Sequence, residues 1–300
     1  MKKYPKVQQL SSKFHKTIFE DAVEITEKID GSQFRFGLVD EHLECCSKGR
    51  TLDLNTTDKL FKPAIETCKN IFNKGIINKN YVFIGETLYK PNHNTLQYER
   101  VPKGNIALFA IYNYDTNAWL NYDAVSSFAE YLGIDVVNIL FKGKIKRKDK
   151  KLWYDEMLKL KSMLGGCKIE GFVVKNLHQT SIVGEHLIPF MQGKYVSEAF
   201  KEIHQKGYKK NKMNSWGKYK ESFRTEARWQ KALQHLAEKG ELKNEVKDIG
   251  FIIKEVMKDI EEECGDEIKQ KMWDLFSKDF MKSAILGLPE WYKNKLMGEV

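Results

Sequence analysis

The 300-residue chain lacks what would place it in a membrane, on a secretory route or around a structural zinc ion. No window approaches the roughly 20 uninterrupted apolar residues that a membrane span requires. The first 20 residues carry Lys2, Lys3, Lys6, Lys13, Lys16 and Glu20 without an apolar run, so no signal peptide is expected. Five cysteines form no C-x-x-C pair, and the odd number leaves one without a mate. Adjacent Cys45 and Cys46 would point to opposite faces of a strand, which suits neither a shared bridge nor a zinc site. Free thiols in a reducing cytoplasm follow. Seven histidines are scattered, and His178 and His186 are too far apart for an H-x-x-x-H helix face, so no zinc site is expected. No internal repeat recurs at solenoid spacing.

What the chain does have is material for a core and an excess of positive charge. Hydrophobic residues make up 42% and aromatics 12%, which excludes a disordered chain. Fifty Lys and Arg against 41 Asp and Glu give a formal charge of +9, a balance that favours polyanionic partners.

Two halves read differently. Up to about residue 200 the pattern is strand-like. Val23 and Ile25 alternate with polar residues, and Phe34, Phe36 and Leu38 line one face of residues 33–39. Further β-rich runs are 81–84, 106–112, 136–141 and 169–174. Helical stretches interrupt them at 58–72, 122–132 and 151–163, with turn signals at Lys103-Gly104 and Gly165-Gly166. Many short strands predict antiparallel sheets in an α+β domain. After residue 205 the period becomes helical. Phe223, Ala227, Ala232, Leu236 and Ala237 form a stripe that stops at Gly240, a plausible C-cap. A second stripe runs from Ile249 through Ile253 and Val256 to Ile260. A third runs from Ile268 through Met272, Leu275 and Phe276 to Phe280. These stripes predict the core of a helical bundle.

Two basic stretches stand out. Residues 142–151 hold seven positive charges and one negative, as expected of a solvated surface or linker. Residues 201–225 hold eight positive and two negative charges, interleaved with Tyr208, Trp216, Tyr219 and Phe223. Cations mixed with aromatics suit phosphate contacts and base stacking as well as a plain solvated face.

The sharpest local signal is Glu27-Lys28-Ile29-Asp30-Gly31-Ser32, between two β-like runs. A lysine there can act as a nucleophile if its amine is neutral when it attacks, a state favoured by neighbouring cations, a metal or desolvation. The glycine permits a tight turn or close approach to a phosphate. Further segments follow in order: Ser47-Lys48-Gly49-Arg50, Phe83-Ile84-Gly85-Glu86, Glu170-Gly171-Phe172-Val173-Val174-Lys175, and residues 194–202 starting with Lys194-Tyr195-Val196.

This order resembles the covalent nucleotidyltransferase superfamily of ATP-dependent ligases and capping enzymes, and within it the phage-type RNA ligases that seal nicked duplex RNA. The likeness spans about residues 4–202, beginning with Tyr4-Pro5-Lys6-Val7. It implies a nucleotidyltransferase domain over residues 1–205, of antiparallel sheets flanked by helices with ATP between them. A C-terminal all-helical domain over 206–300 is expected to help bind RNA. The resemblance implies that Lys28 takes AMP from ATP into a P–N bond, that Glu27 flanks the adenine pocket and that Gln33 lies near the phosphates, where these ligases usually carry Asn. It further implies that Arg50 contacts the nucleotide or the RNA 5′-phosphate, that Glu86 holds the ribose hydroxyls, that Glu170 organises the metal and the lysine, and that Lys194 neutralises the α-phosphate. Two positions depart from the pattern. Val196 replaces the second lysine of K-x-K, with Lys175 or Lys201 as candidate substitutes. Ile111 stands where the adenine-stacking aromatic is usual; Phe109, two residues away on an alternating strand, would share its face.

The residue types fit that chemistry independently, because phosphoryl-type transfer asks mainly for positioning and charge neutralisation. The implied activity is an ATP-dependent RNA ligase that joins 3′-hydroxyl and 5′-phosphate ends with magnesium or manganese. The substrate expected is nicked duplex RNA or tRNA, the enzyme a cytoplasmic monomer of a kind a phage would encode. Alternatives are a DNA ligase or RNA/DNA-hybrid nick ligase of the same superfamily, separated by the need for a 2′-hydroxyl, and a non-catalytic RNA-binding protein on a degenerate ligase fold. No oligonucleotide-binding domain or basic motif VI is evident, which favours RNA sealing.

Overall fold

The structure, a computed structural model, describes residues 1–10, 17–56, 58–145, 150–183, 186–196 and 215–297. Two compact units divide the chain, Met1–Val256 and Met257–Val300. The expected boundary near residue 205 and most of the second basic stretch lie outside the described residues.

The first unit is built on two sheets. One has the order β5 (Thr51–Leu52), β4 (His42–Ser47), β3 (Ser32–Val39), β6 (Tyr81–Thr87), β7 (Ile106–Asn113) and β8 (Ala118–Trp119). Within it β9 (Asp135–Val136) pairs with β7 in parallel, and the other pairings are antiparallel. The second has the order β1 (Gln8–Gln9), β14 (Met191–Val196), β11 (Gly171–Asn176), β2 (Ala22–Lys28) and β10 (Ile139–Lys144). It too is antiparallel, apart from the short β1–β14 pair. A small hairpin joins β12 (Ser181–Val183) to β13 (His186–Ile188).

Each sheet has an outer face covered by helix. Phe34, Phe36, Phe83, Leu108 and Ile111 pack with Ala64, Ile65 and Cys68 of α1 (Lys62–Asn73) and with Val125 and Ala129 of α2 (Tyr122–Leu132). The spacing of those helical residues is the i, i+4 period of an amphipathic helix. Asn121 caps α2 by accepting from the Ala124 N–H, and Gly133 closes it at φ 70°. On the second sheet Val23, Ile25, Phe172 and Val174 pack with Trp153 and Met157 of α3 (Lys150–Met157). The inner faces turn toward each other, and on that of the first sheet Val82, Ile84, Ala110 and Tyr112 pack with Met1, Tyr4 and Trp119. Burying two such layers, at roughly 25 cal/mol per Å² of apolar surface, is what holds the sheets in place.

Helices α4 (Ser215–Glu221) and α5 (Glu226–Lys239) follow, and Gly240 ends α5 at φ 73°, as the sequence predicts. Ala232 and Leu236 of the first stripe are buried. Their helix docks on the β3–β4 edge, where the Ser47 hydroxyl donates to the Glu238 carbonyl at 3.2 Å. The second and third stripes differ from expectation. They lie on one helix, α6 (Ile249–Ala284), which runs across the boundary between the units and is followed by α7 (Leu288–Met297). Met257, Met272, Phe276 and Phe280 are exposed and form no bundle core. Apolar periodicity marks a side of a helix but does not supply what covers it.

Candidate active site

Lys28 is the last residue of β2, and after the three intervening residues Ile29, Asp30 and Gly31 the chain enters β3 in the other sheet. Lys28-Ile29-Asp30-Gly31 is thus the crossover between the two layers, and the lysine stands at the mouth of their cleft. The crossing is tight. A Cβ on Gly31 would lie 2.9 Å from the Thr87 carbonyl oxygen, so only glycine fits. Asp30 clamps the loop after β6: its carboxylate accepts from the Thr95 and Leu96 N–H groups at 2.9 and 3.0 Å, and from the Asn94 amide.

Strand register decides which side chains join Lys28. Across β2, β11 and β14, Lys28 aligns with Gly171 and Val196, Thr26 with Val173 and Lys194, and Glu24 with Lys175 and Gln192. Period-two alternation puts these side chains on the inner face. The Lys28 Nζ donates to Glu170 Oε2 at 2.5 Å. From the facing sheet Glu86 and Gln33 stand opposite each other on β6 and β3.

The electrostatics follow from burial and crowding. Burial disfavours the charge on Lys28, but the carboxylates of Glu170, Asp30 and Glu86 outweigh it and hold the amine above the ordinary lysine value. Burial pushes Glu86 up to about 8, against the attraction of Lys28 and with repulsion from Glu238, Glu170 and Asp30. Burial also raises Glu170, opposed by Lys28 and Lys194. Lys175 goes the other way: burial lowers it to about 8, against the pull of Glu24, while its amine donates to the Phe109 carbonyl at 2.8 Å.

The remaining expected residues divide. Arg50 lies in the turn between β4 and β5, where its Nε donates to the Glu238 carbonyl at 3.0 Å and its Nη2 lies 3.6 Å from Asp58. Glu27 points away from Lys28, as strand alternation demands; its Oε2 accepts from the Met163 N–H at 3.0 Å, and burial raises its carboxyl, opposed by hydrogen bonds from Ser162 and Met163. The shared face expected of Phe109 and Ile111 is not found. A β-bulge places Ile84 opposite Ala110 and Gly85 opposite Leu108, which leaves Phe109 as an extra residue in β7. Ile111 therefore packs in the outer core with the helices, while Phe109 packs on the inner side with Tyr4, ring centroids 5.0 Å apart. Lys201 lies outside the described residues.

Some of the site was not visible in the motifs. Ser32 is fully buried and bonds the His93 Nε2 at 3.0 Å, and burial lowers His93 to about 4, against the charge of Asp30. Gln234 of α5 reaches the Gly31 carbonyl at 3.0 Å, and burial raises its neighbour Glu238, opposed by hydrogen bonds from Ser32 and Gln234. Nothing in the local sequence links residues 234 and 238 to a turn two hundred residues earlier.

Among the described residues no three His, Cys, Asp or Glu side chains gather to hold a metal unaided. The Glu170 carboxylate nevertheless suits a hard divalent cation that would complete its shell with water and phosphate oxygens.

A cleft between two antiparallel sheets, with a lysine at the crossover and acids and cations around it, defines a nucleotidyltransferase-type fold. The model of the RNA ligase family matches residues 21–191, more than half of the chain, and the chain belongs to that family. No curated protein sequence matches it. Among solved structures it is similar to Naegleria gruberi RNA ligase with pyrophosphate, at 22% identity and a TM-score of 0.52, over 69% of this chain and 58% of that one. A lysine-to-alanine variant of that ligase with ATP and manganese gives 21% identity and 0.51, over 67% and 58%. A glutamate-to-alanine variant with AMP and manganese gives 21% and 0.52, over 68% and 58%. The chain thus spans well under two thirds of the ligase it matches, and the likeness concerns the fold. No described helix is long and apolar enough to cross a membrane.

Proposed function

We propose that the chain is an ATP-dependent RNA ligase that joins 3′-hydroxyl and 5′-phosphate ends, at a nick in duplex RNA or a break in tRNA. The observation that carries this reading is the Lys28 amine, set on the inner face of the cleft against Glu170. The Naegleria structures with ATP, AMP and pyrophosphate agree with it.

In the first step the neutral Lys28 amine attacks the α-phosphorus of ATP. A P–N bond forms, the bond to pyrophosphate breaks, and the amine gives up its proton. Lys28 is held protonated in the free enzyme, so the step needs positive charge to draw its carboxylate neighbours away. Glu170 would hold a magnesium or manganese ion, which would supply charge neutralisation when bound. Lys194 and Arg50 add fixed cations near non-bridging oxygens. Glu86, protonated at neutral pH, is fitted to hydrogen-bond ribose hydroxyls, Gln33 to approach the phosphates, and Phe109 with Lys175 to wall the base.

In the second step a 5′-phosphate oxygen of RNA attacks the same phosphorus, the P–N bond breaks and Lys28 regains its proton. In the third, the 3′-hydroxyl attacks the adenylylated end, the phosphodiester forms and AMP leaves. The test is intact-mass spectrometry after incubation with ATP and magnesium. A gain of about 329 Da, the mass of one AMP, that pyrophosphate reverses is the expected result for a covalent nucleophile. A folded, AMP-free protein that gains nothing would sink the reading and leave RNA binding without catalysis.

A further inference from the structure

The crossover that carries Lys28 into β3 is held from two sides. One side is the loop after β6, where the Tyr98 hydroxyl accepts the Asp30 N–H at 2.8 Å and the Asn94 amide donates to the Gly31 carbonyl at 3.1 Å. The other side is α5. Its Gln234, 203 residues from Gly31 in the chain, places Nε2 at 3.0 Å from the Gly31 carbonyl, 3.3 Å from the Ser32 hydroxyl and 2.8 Å from Glu238 Oε1. All three partners can accept, which suits the N–H donors of a side-chain amide. Buried Ala232 and Leu236 anchor the helix that presents it.

Ser32 ties the two sides together. The Tyr89 N–H donates to the His93 Nδ1 at 3.3 Å, which puts the ring proton on Nε2, 3.0 Å from the Ser32 hydroxyl. Ser32 in turn bonds the Glu238 carboxylate, which is buried. The backbone carbonyl of Glu238 takes the Arg50 Nε at 3.0 Å and the Ser47 hydroxyl at 3.2 Å. One turn of α5, from Gln234 to Glu238, therefore touches both the crossover behind Lys28 and the turn that carries Arg50. A reacting group on a crossover is only as well placed as its supports, and a misplacement on the order of 1 Å can cost about 100-fold in rate.

We propose that Gln234 is a positioning residue for Lys28, fixing the Gly31 carbonyl and through it the placement of the lysine three residues earlier. It acts on the crossover and not on substrate. This rests on the ligase reading for the reaction that Lys28 performs, though the hold on the crossover can be tested without it. A helix from the C-terminal part of the chain is thereby built into the support of the nucleophile.

The experiment follows lysyl-AMP formation by intact mass at varied ATP in wild type, Gln234→Met and Gln234→Glu, with the folded fraction of each measured by thermal unfolding. Methionine keeps the length of the side chain and loses its donors. The plateau rate of the folded Gln234→Met protein should fall on the order of 10-fold, with the ATP concentration for half-maximal rate unchanged. Gln234→Glu gives a readout that packing alone would not move. A protonated glutamic acid still donates one hydrogen bond to the Gly31 carbonyl and an ionised one does not. Its plateau rate relative to wild type should therefore fall several-fold, about 3- to 10-fold, between about pH 6 and about pH 9, while that of Gln234→Met stays level. If Gln234→Met keeps the wild-type plateau rate, or loses rate only in proportion to its unfolded fraction, the contact is packing and the inference is overturned. Should that variant not fold, a level ratio across pH in Gln234→Glu overturns it equally. Hydrogen exchange over residues 28–32, measured without ATP, should be faster in both variants at high pH than in wild type, and equal exchange would overturn the hold on the crossover. Absence of lysyl-AMP in wild type would defeat the ligase reading while the exchange comparison still decides Gln234.

Discussion

The Lys28 amine and the Glu170 carboxylate meet at 2.5 Å on the inner face of the cleft. That contact keeps the Lys28 amine charged, because Glu170, Asp30 and Glu86 together outweigh the burial that would neutralise it. Lysyl-AMP formation should therefore rise with pH about tenfold per unit while the amine is protonated. Glu170→Gln removes one carboxylate and shifts that limb to lower pH, yet lowers the plateau rate on the order of 100-fold through lost charge organisation. A time course by intact mass across pH checks both parts; an unshifted limb would mean that Glu170 does not set the state of Lys28.

Glu86 gives a stability effect of defined sign. Its folded-state pKa is about 8 against an ordinary 4.5, raised first by burial. The stability tied to its protonated form is complete below the unfolded value and is lost as pH rises through the folded one. Glu86→Gln should thus gain in melting temperature relative to wild type by several degrees, on the order of 5 °C, at pH 9, and little at pH 4. Equal differences at both pH values would contradict the raised value.

The bulge in β7 separates two residues that simple alternation would unite. Phe109→Ala should raise the KM for ATP roughly 10-fold with modest loss of stability, as for a ring lost from a binding wall. Ile111→Ala should cost about 3 kcal/mol of stability, as for a cavity in a packed core, with the KM unchanged in the folded protein. Denaturant titration and ATP dependence measured on both variants decide the matter, and a reversed pattern would return Ile111 to the nucleotide.

Gly171 lies between Lys28 and Val196 in strand register. A Cβ there would stand 2.1 Å from the Tyr195 carbonyl oxygen, against rigid backbone. Gly171→Ala should force β11 from β14 and cost several kcal/mol, about 3 or more, visible as loss of soluble folded protein or a sharply lower denaturation midpoint.

Val196→Lys tests the departure in the final motif. A cation in the row of Lys28 should lower the amine's pKa and speed lysyl-AMP formation several-fold, about 3- to 10-fold. No gain, measured by intact mass in a folded variant, would mean that Lys175 or another cation already fills that role.

Much of this molecule is legible from local sequence. The period-two runs of β2, β3 and β6, the Asn121 and Gly133 caps of α2 and the Gly240 stop of α5 are written in residue types whose backbone preferences are local. The motifs around Lys28, Arg50, Glu86 and Glu170 likewise lie within residues 21–191, which the RNA ligase family model matches. Tertiary structure alone decided the rest. A single unpaired residue in β7 sends Phe109 and Ile111 to opposite faces, and an insertion in register has no signature in an apolar run. Carboxylates distant in the chain raise Lys28 against its burial, burial raises Glu86 and burial lowers Lys175, because these values depend on what surrounds a side chain in space and not on its chain neighbours. Arg35 reads in sequence as an ordinary polar strand position; only tertiary packing takes water from its guanidinium, whose Nε and Nη1 are buried with no hydrogen-bond partner.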